Sequence, residues 1–271
     1  MVLTKKLTLY GFNNLTKSLS FNIYDICYAE TDQDQREYIE YIDEQYNSER
    51  LTEILCRVTD IIGAHVLNIS KQDYEPQGAS VNLLVAEEPL SPGQVDKSCN
   101  QGILDPCLLK RDTIHAHLDK SHITVHTYPE YHPEHLISTF RVDIDVATCG
   151  RISPLNALNF LINSFDSDII TIDYKVRGFT RNIEGGKCFI DHQIQSIQSF
   201  IDPEILKEYV AVDLNLYQSN TFHTKMMVKE IVLEEYLFNQ DVSEIPAEKQ
   251  QQIVEMLEKE MVEIFHGMNI Y

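Results

Sequence analysis

Apolar and polar positions alternate in Leu19, Phe21 and Ile23 against Ser20, Asn22 and Tyr24. A period of two predicts a strand with one buried face within residues 7–29. Asp32 with Gln35 is the capping pair expected to open a helix running to about Tyr46. Asn47-Ser48 caps a second helix. Leu51, Ile54, Leu55, Val58, Ile61 and Ile62 fall on one face of it, and Gly63 stands at its end. Strands are expected over 64–70 and 79–86, joined by the turn-forming stretch Tyr74-Glu75-Pro76-Gln77-Gly78. Residues 88–112, with Ser91-Pro92-Gly93, Gly102 and Pro106, read as a long surface loop.

Alternation resumes over 121–127 and 138–147, which predicts a hairpin around a loop at 128–137. Ser153-Pro154 starts a helix whose apolar face is Leu155, Leu158, Leu161, Ile162 and Phe165. Ile169 to Val176 is a β-rich run stopped by Arg177-Gly178. Further on, the pattern predicts a helix near 189–200, strands around 210–217 and 225–233, and a helix from about 247 to 265. Strands and helices in this order, with antiparallel hairpins, predict an α+β protein: antiparallel β-sheets packed with helices in an α/β sandwich. The expected division is a core over 1–182 and a C-terminal extension over 183–271 packed on it.

Composition narrows the function classes. The chain has 42 Asp plus Glu against 22 Lys plus Arg. That balance argues against nucleic acid as a partner and suits a cationic substrate or plain solubility. No run of about 18 apolar residues predicts a membrane span. The N-terminus lacks a secretory h-region, so the cytoplasm is the expected location. The six cysteines, Cys27, Cys56, Cys99, Cys107, Cys149 and Cys188, form no Cys-x-x-Cys pair and read as free thiols.

The candidate chemistry lies around Lys120-Ser121-His122. His115, His117, His122, His126, His132 and His135 crowd the neighbourhood, yet no His-Glu-x-x-His or comparable ligand pattern appears. Gly-x-Ser-x-Gly is also absent around Ser121. Cys149, before Gly150, reads either as a reactive thiol or as a small buried hydrophobe. In an antiparallel hairpin, Ser121 and Cys149 lie roughly opposite each other at the open end. His126 is five positions from Ser121, so it faces the other side of the sheet, roughly 16 Å away. If both act in one reaction, a second copy of the chain supplies one of them.

Three separated motifs resemble the prokaryotic S-adenosylmethionine decarboxylase proenzymes: Lys120-Ser121-His122, His126-Thr127-Tyr128-Pro129-Glu130 and Asp145-Val146-Ala147-Thr148-Cys149-Gly150. The opening Gly11 to Phe21, the Tyr74 to Ser80 stretch and the long C-terminal third resemble the longer bacterial subtype. The resemblance covers essentially the whole chain and implies self-cleavage between Lys120 and Ser121. Ser121 attacks the Lys120 carbonyl, the amide becomes an ester, β-elimination gives dehydroalanine, and loss of ammonia leaves a pyruvoyl group. The substrate amine forms a Schiff base with that group and loses carbon dioxide. The product, decarboxylated S-adenosylmethionine, is the aminopropyl donor for spermidine.

The resemblance also assigns roles. Cys149 reprotonates the substrate carbon. Ser80 and His126 assist processing, Glu130 binds the ribose hydroxyls and Tyr74 stacks on adenine. The longer subtype's need for a divalent ion adds Mg2+ to the expected cofactors, without ligands. Partners implied are S-adenosylmethionine and further copies of the chain: at least a dimer of cleaved units, with a tetramer of them as a further arrangement. Tyr74 stands where shorter relatives usually carry phenylalanine, and the 88–112 loop and the C-terminal third have no counterpart there. The alternatives are a pyruvoyl enzyme acting on ornithine or arginine, or a non-catalytic paralogue, with a metallohydrolase last. Tyr74 and Glu130 favour a nucleoside, and the intact Lys120-Ser121, His126 and Cys149 oppose an inactive chain.

Overall fold

A computed structural model of the chain describes residues 14–86, 121–149 and 151–270. Gly11 to Asn13, the 88–112 loop, Cys99, Cys107, His115, His117, Lys120 and Gly150 lie outside the described residues.

The alternating run forms β1 (Thr16–Tyr28). Helix α1 (Asp32–Gln45) follows, and its N-cap is Thr31 rather than Asp32. Thr31 and Asp34 form the reciprocal capping box, with Asp34 N–H donating to Thr31 Oγ1 at 3.1 Å and Thr31 N–H to Asp34 Oδ2 at 3.2 Å. Asn47 caps α2 (Ser48–Ile62), which ends at Gly63 in the left-handed region. Then come β2 (His65–Asp73), β3 (Ala79–Ala86), β4 (Ser121–His132) and β5 (His135–Cys149). Pro154–Ala157 is a 3₁₀ turn leading into the short α3 (Leu158–Ile162). The remaining elements are β6 (Ile169–Arg177), β7 (Thr180–Arg181), β8 (Lys187–Cys188), α4 (Pro203–Glu208), β9 (Tyr209–Asp213), β10 (Thr221–Val228) and α5 (Ala247–His266).

Eight strands form one antiparallel sheet in the order β2-β3-β4-β5-β1-β6-β10-β9, and β7 pairs with β8 alone. The fold is α+β, as the alternation of elements predicts. Strands β9 and β10 from the C-terminal third extend this same sheet through β6.

Helices α1, α2 and α3 cover one face. Leu19, Phe21 and Ile23 of β1 join Leu51, Leu55 and Val58 of α2 in the larger core. A second core lies where Ile26, Tyr28, Ile137 and Ile169 meet α5. Ile253, Leu257, Met261 and Phe265, spaced by four, are the buried stripe of that helix. Between these cores Asp168 is 6% exposed. It accepts from Ile26 N–H at 2.8 Å and from the Tyr236 hydroxyl at 2.6 Å, tying the C-terminal third to β1. Burial raises its carboxyl pKa to about 6 against these two donors, and burial also raises nearby Asp25 well above the carboxylate range.

Two expectations fail for identifiable reasons. The loop expected at 128–137 shrinks to Pro133-Glu134, because β4 continues through Pro129 to His132. Beyond His126, β4 pairs with β5 alone, and a proline is tolerated on such an edge. The helix expected near 189–200 is replaced by turns and a 3₁₀ turn at Ile197–Phe200. Asp191 there has φ 61°, which no α-helix accommodates.

Candidate active site

Strand register sorts the expected site residues into two groups. The first stands at the open end of the β4–β5 hairpin. His122 pairs with Ala147, so Ser121 lies beside Thr148 and Cys149. The Cys149 backbone N–H donates to Ser121 Oγ at 3.2 Å. Ser121 is buried and points to the helix-covered face with Ile123 and Val125, while Cys149 is half-buried.

The second group is built on β3 and β4. Ser80 and His126 are direct cross-strand partners. The Tyr74 hydroxyl donates to Ser80 Oγ at 2.8 Å. The turn carrying Tyr74 is pinned at several points. Tyr74 N–H donates to Gly78 O at 2.8 Å, Gln77 Nε2 to Pro129 O at 2.6 Å, and Gly78 N–H to Asp43 Oδ1 at 2.9 Å. Gly78 has φ +90°, and an added Cβ would lie 2.8 Å from Thr127 O, so the position requires glycine. Burial raises the Asp43 carboxyl pKa, and the Gly78 N–H opposes that rise. Glu130 follows on the same face of β4 as His126 and Tyr128, and it is exposed.

Ser121 and His126 lie on opposite faces of one strand, as the count of positions requires. The structure thus joins Ser121 to the backbone of Cys149, and Tyr74 and Ser80 to His126, without bringing Ser121 and His126 together within one chain. Among the described residues no three His, Cys, Asp or Glu side chains converge as metal ligands.

Two nearby constellations escaped the sequence reading. Lys17 is fully buried, pairs with Asp191 Oδ2 at 3.1 Å, and shares that carboxylate with the Tyr174 hydroxyl at 3.1 Å. The signal was available: Lys17 occupies an inward position in the series Lys17, Leu19, Phe21, Ile23. The second lies beside His126. Arg141 forms a two-point ion pair with Asp143, with Nε to Oδ1 at 2.9 Å, and Asn22 Nδ2 reaches the same Oδ1 at 2.6 Å. The Asp143 hydrogen bond raises the Arg141 pKa, and partial burial opposes it.

Residues 39–178 match the family model described as S-adenosylmethionine decarboxylase. The chain belongs to the S-adenosylmethionine decarboxylase family. It is 70% identical over 269 residues to the S-adenosylmethionine decarboxylase proenzyme of Alkaliphilus oremlandii, covering 99% of each chain. The proenzyme of the same description from Hahella chejuensis is 59% identical over 268 residues, again with 99% of each chain covered. Among solved structures, the adenosylmethionine decarboxylase of Aquifex aeolicus aligns at 15% identity and TM-score 0.31, over 68% of this chain and 100% of that one. The Trypanosoma brucei AdoMetDC-delta26 monomer aligns at 15% identity and TM-score 0.37, over 79% of this chain and 66% of that one. No helix among the described residues is long and apolar enough to cross a membrane.

Proposed function

We propose that the chain is a self-processing, pyruvoyl-dependent S-adenosylmethionine decarboxylase of the cytoplasm. The observation that carries this reading is the contact of the Cys149 N–H with Ser121 Oγ at the head of β4, in a chain sharing 70% identity with a named proenzyme.

Ser121 suits a group generated in place. It begins a strand, its hydroxyl is held by the backbone of Cys149, and it is buried from water. Its Oγ attacks the Lys120 carbonyl, turning the amide into an ester. Ser80 supports the cyclic oxygen intermediate of that attack, His126 then removes the Cα proton of residue 121, and Lys120 leaves as a carboxylate. A pyruvoyl group at this position supplies an electrophilic carbonyl for the substrate amine and a sink for the electrons that carbon dioxide leaves behind. The Cys149 thiol delivers a proton to the substrate carbon. Glu130 accepts hydrogen bonds from the ribose hydroxyls, and the Tyr74 ring, 40% exposed, stacks on adenine. A cationic sulfonium substrate suits a chain of net charge −20.

Because Ser121 and His126 occupy opposite faces, His126 of one copy serves Ser121 of the partner subunit, and the active unit is at least a dimer of cleaved chains. Residues 1–182 form the catalytic core and 183–271 extend it. Mg2+ enters as an accompanying ion, with no ligand assigned and no step passing through it.

Denaturing electrophoresis with intact mass tests the reading. The expected products are residues 1–120 and a fragment from 121–271 with a blocked N-terminus, while Ser121→Ala stays whole and inactive. A single uncut chain that decarboxylates S-adenosylmethionine overturns it.

A further inference from the structure

Among the described residues no hydrogen bond fixes the His126 ring, and its neighbour along the strand is aromatic. The Tyr128 ring, two residues along β4, lies 6.4 Å away and within 24° of parallel. The Arg141 guanidinium sits 4.8 Å from the Tyr128 ring centroid and 5.9 Å from that of Tyr24. Register explains the arrangement: Asp143 is the cross-strand partner of His126, and Arg141 that of Tyr128. The guanidinium is held by its two-point pair with Asp143, and Asp143 is held in turn by Asn22 at 2.6 Å. A planar guanidinium gripped at two points presents a fixed flat face to an aromatic ring.

This network does little for the core. Tyr128 is 47% exposed, and its partners line the sheet face away from α1 and α2. An exposed histidine on a strand otherwise samples several rotamers. The Tyr128 ring stands beside the imidazole on the same face of β4.

We propose that Tyr128, Arg141 and Asp143 are positioning residues for His126. The Asp143–Arg141 pair fixes the Tyr128 ring, and the ring orients the imidazole for its attack on the Cα proton of residue 121. In that step the base takes the proton, the Cα–Cβ double bond forms, and the Cβ–O ester bond breaks. Its electron pair departs with the Lys120 carboxylate. The inference rests on the processing role proposed above for His126.

The ester gives a readout that general damage to the fold does not. Hydroxylamine cuts an ester and spares an amide, so a chain stalled before elimination splits at 120–121 only when hydroxylamine is added. Full-length Tyr128→Leu and Arg141→Met are expected to self-cleave about tenfold more slowly or worse, with the hydroxylamine-sensitive chain accumulating. Tyr128→Phe keeps the ring and is expected to process at the wild-type rate. Processing of Tyr128→Leu and Arg141→Met within about twofold of wild type overturns the proposal. So does slow processing without a hydroxylamine-sensitive chain, or a Tyr128→Phe as slow as Tyr128→Leu. His126→Ala separates the two readings: if that chain accumulates no sensitive ester, the role of His126 itself fails.

Discussion

The Cys149 N–H and the Ser121 hydroxyl meet at 3.2 Å, so the residue proposed to finish the reaction supports, through its backbone, the residue proposed to begin it. The contact uses no side-chain atom of Cys149. Cys149→Ala is therefore expected to self-cleave to near completion, because alanine keeps the N–H. Decarboxylation should fall at least about 100-fold, the scale of losing a positioned general acid. Fragment yield and carbon dioxide release from the same preparation check both halves, and wild-type turnover would remove the thiol from the reaction.

The buried Lys17–Asp191 pair predicts an asymmetry in stability. Asp191→Asn leaves an ammonium buried without its counter-charge and is expected to cost about 2–3 kcal/mol, discounted because Asp191 is a quarter exposed. Lys17→Met removes the buried charge, leaving the Tyr174 hydroxyl and solvent to satisfy Asp191, and should cost less. Urea unfolding of the two variants decides the order.

Asp168 predicts a pH dependence. Its folded pKa, about 6, lies above the ordinary 3.8, so between these values the folded chain binds more protons than the unfolded one. Stability from this group therefore rises as pH falls from about 7 towards 4, and the ionised form costs on the order of 3 kcal/mol above pH 6. Asp168→Asn keeps one acceptor oxygen, for Ile26 N–H, and its amide NH2 can donate to the Tyr236 hydroxyl oxygen. It should flatten the difference between urea midpoints at pH 5 and pH 7.5, and an unchanged slope would exclude Asp168 as its source.

Gly78→Ala forces a side chain into a positive-φ position against Thr127 O. The expected cost is about 1–3 kcal/mol. Because the same turn carries Tyr74, KM for S-adenosylmethionine should rise more than kcat falls. A variant with wild-type KM would detach the turn from substrate binding.

Much of the fold was legible because burial follows period. Strands β3 and β6 and helices α2 and α5 follow from alternation or four-residue spacing, and Gly63 marks a helix end. The separation of Ser121 from His126 needed only a count of positions along one strand. What the chain pattern hides is choice among partners across strands. The proline at 129 reads as a loop until β4 is known to have an open side there, and Asp191 reads as helical until Lys17 is known to need it. Arg141 and Asp143 look like ordinary outward residues, because the register that sets them beside Tyr128 and His126 is not a local property.

The strand order bears on what the proposed cut before Ser121 would release. Strand β1 belongs to the part before residue 121, yet it lies between β5 and β6, both from the part after it. The two pieces are interleaved rather than side by side. Pulling them apart requires opening the β3–β4 seam and both flanks of β1, one of them paired along all 13 residues of that strand. A nick before Ser121 therefore frees a new chain end without freeing a subunit, and two pieces made separately would have to thread one strand into a slot already walled on both sides.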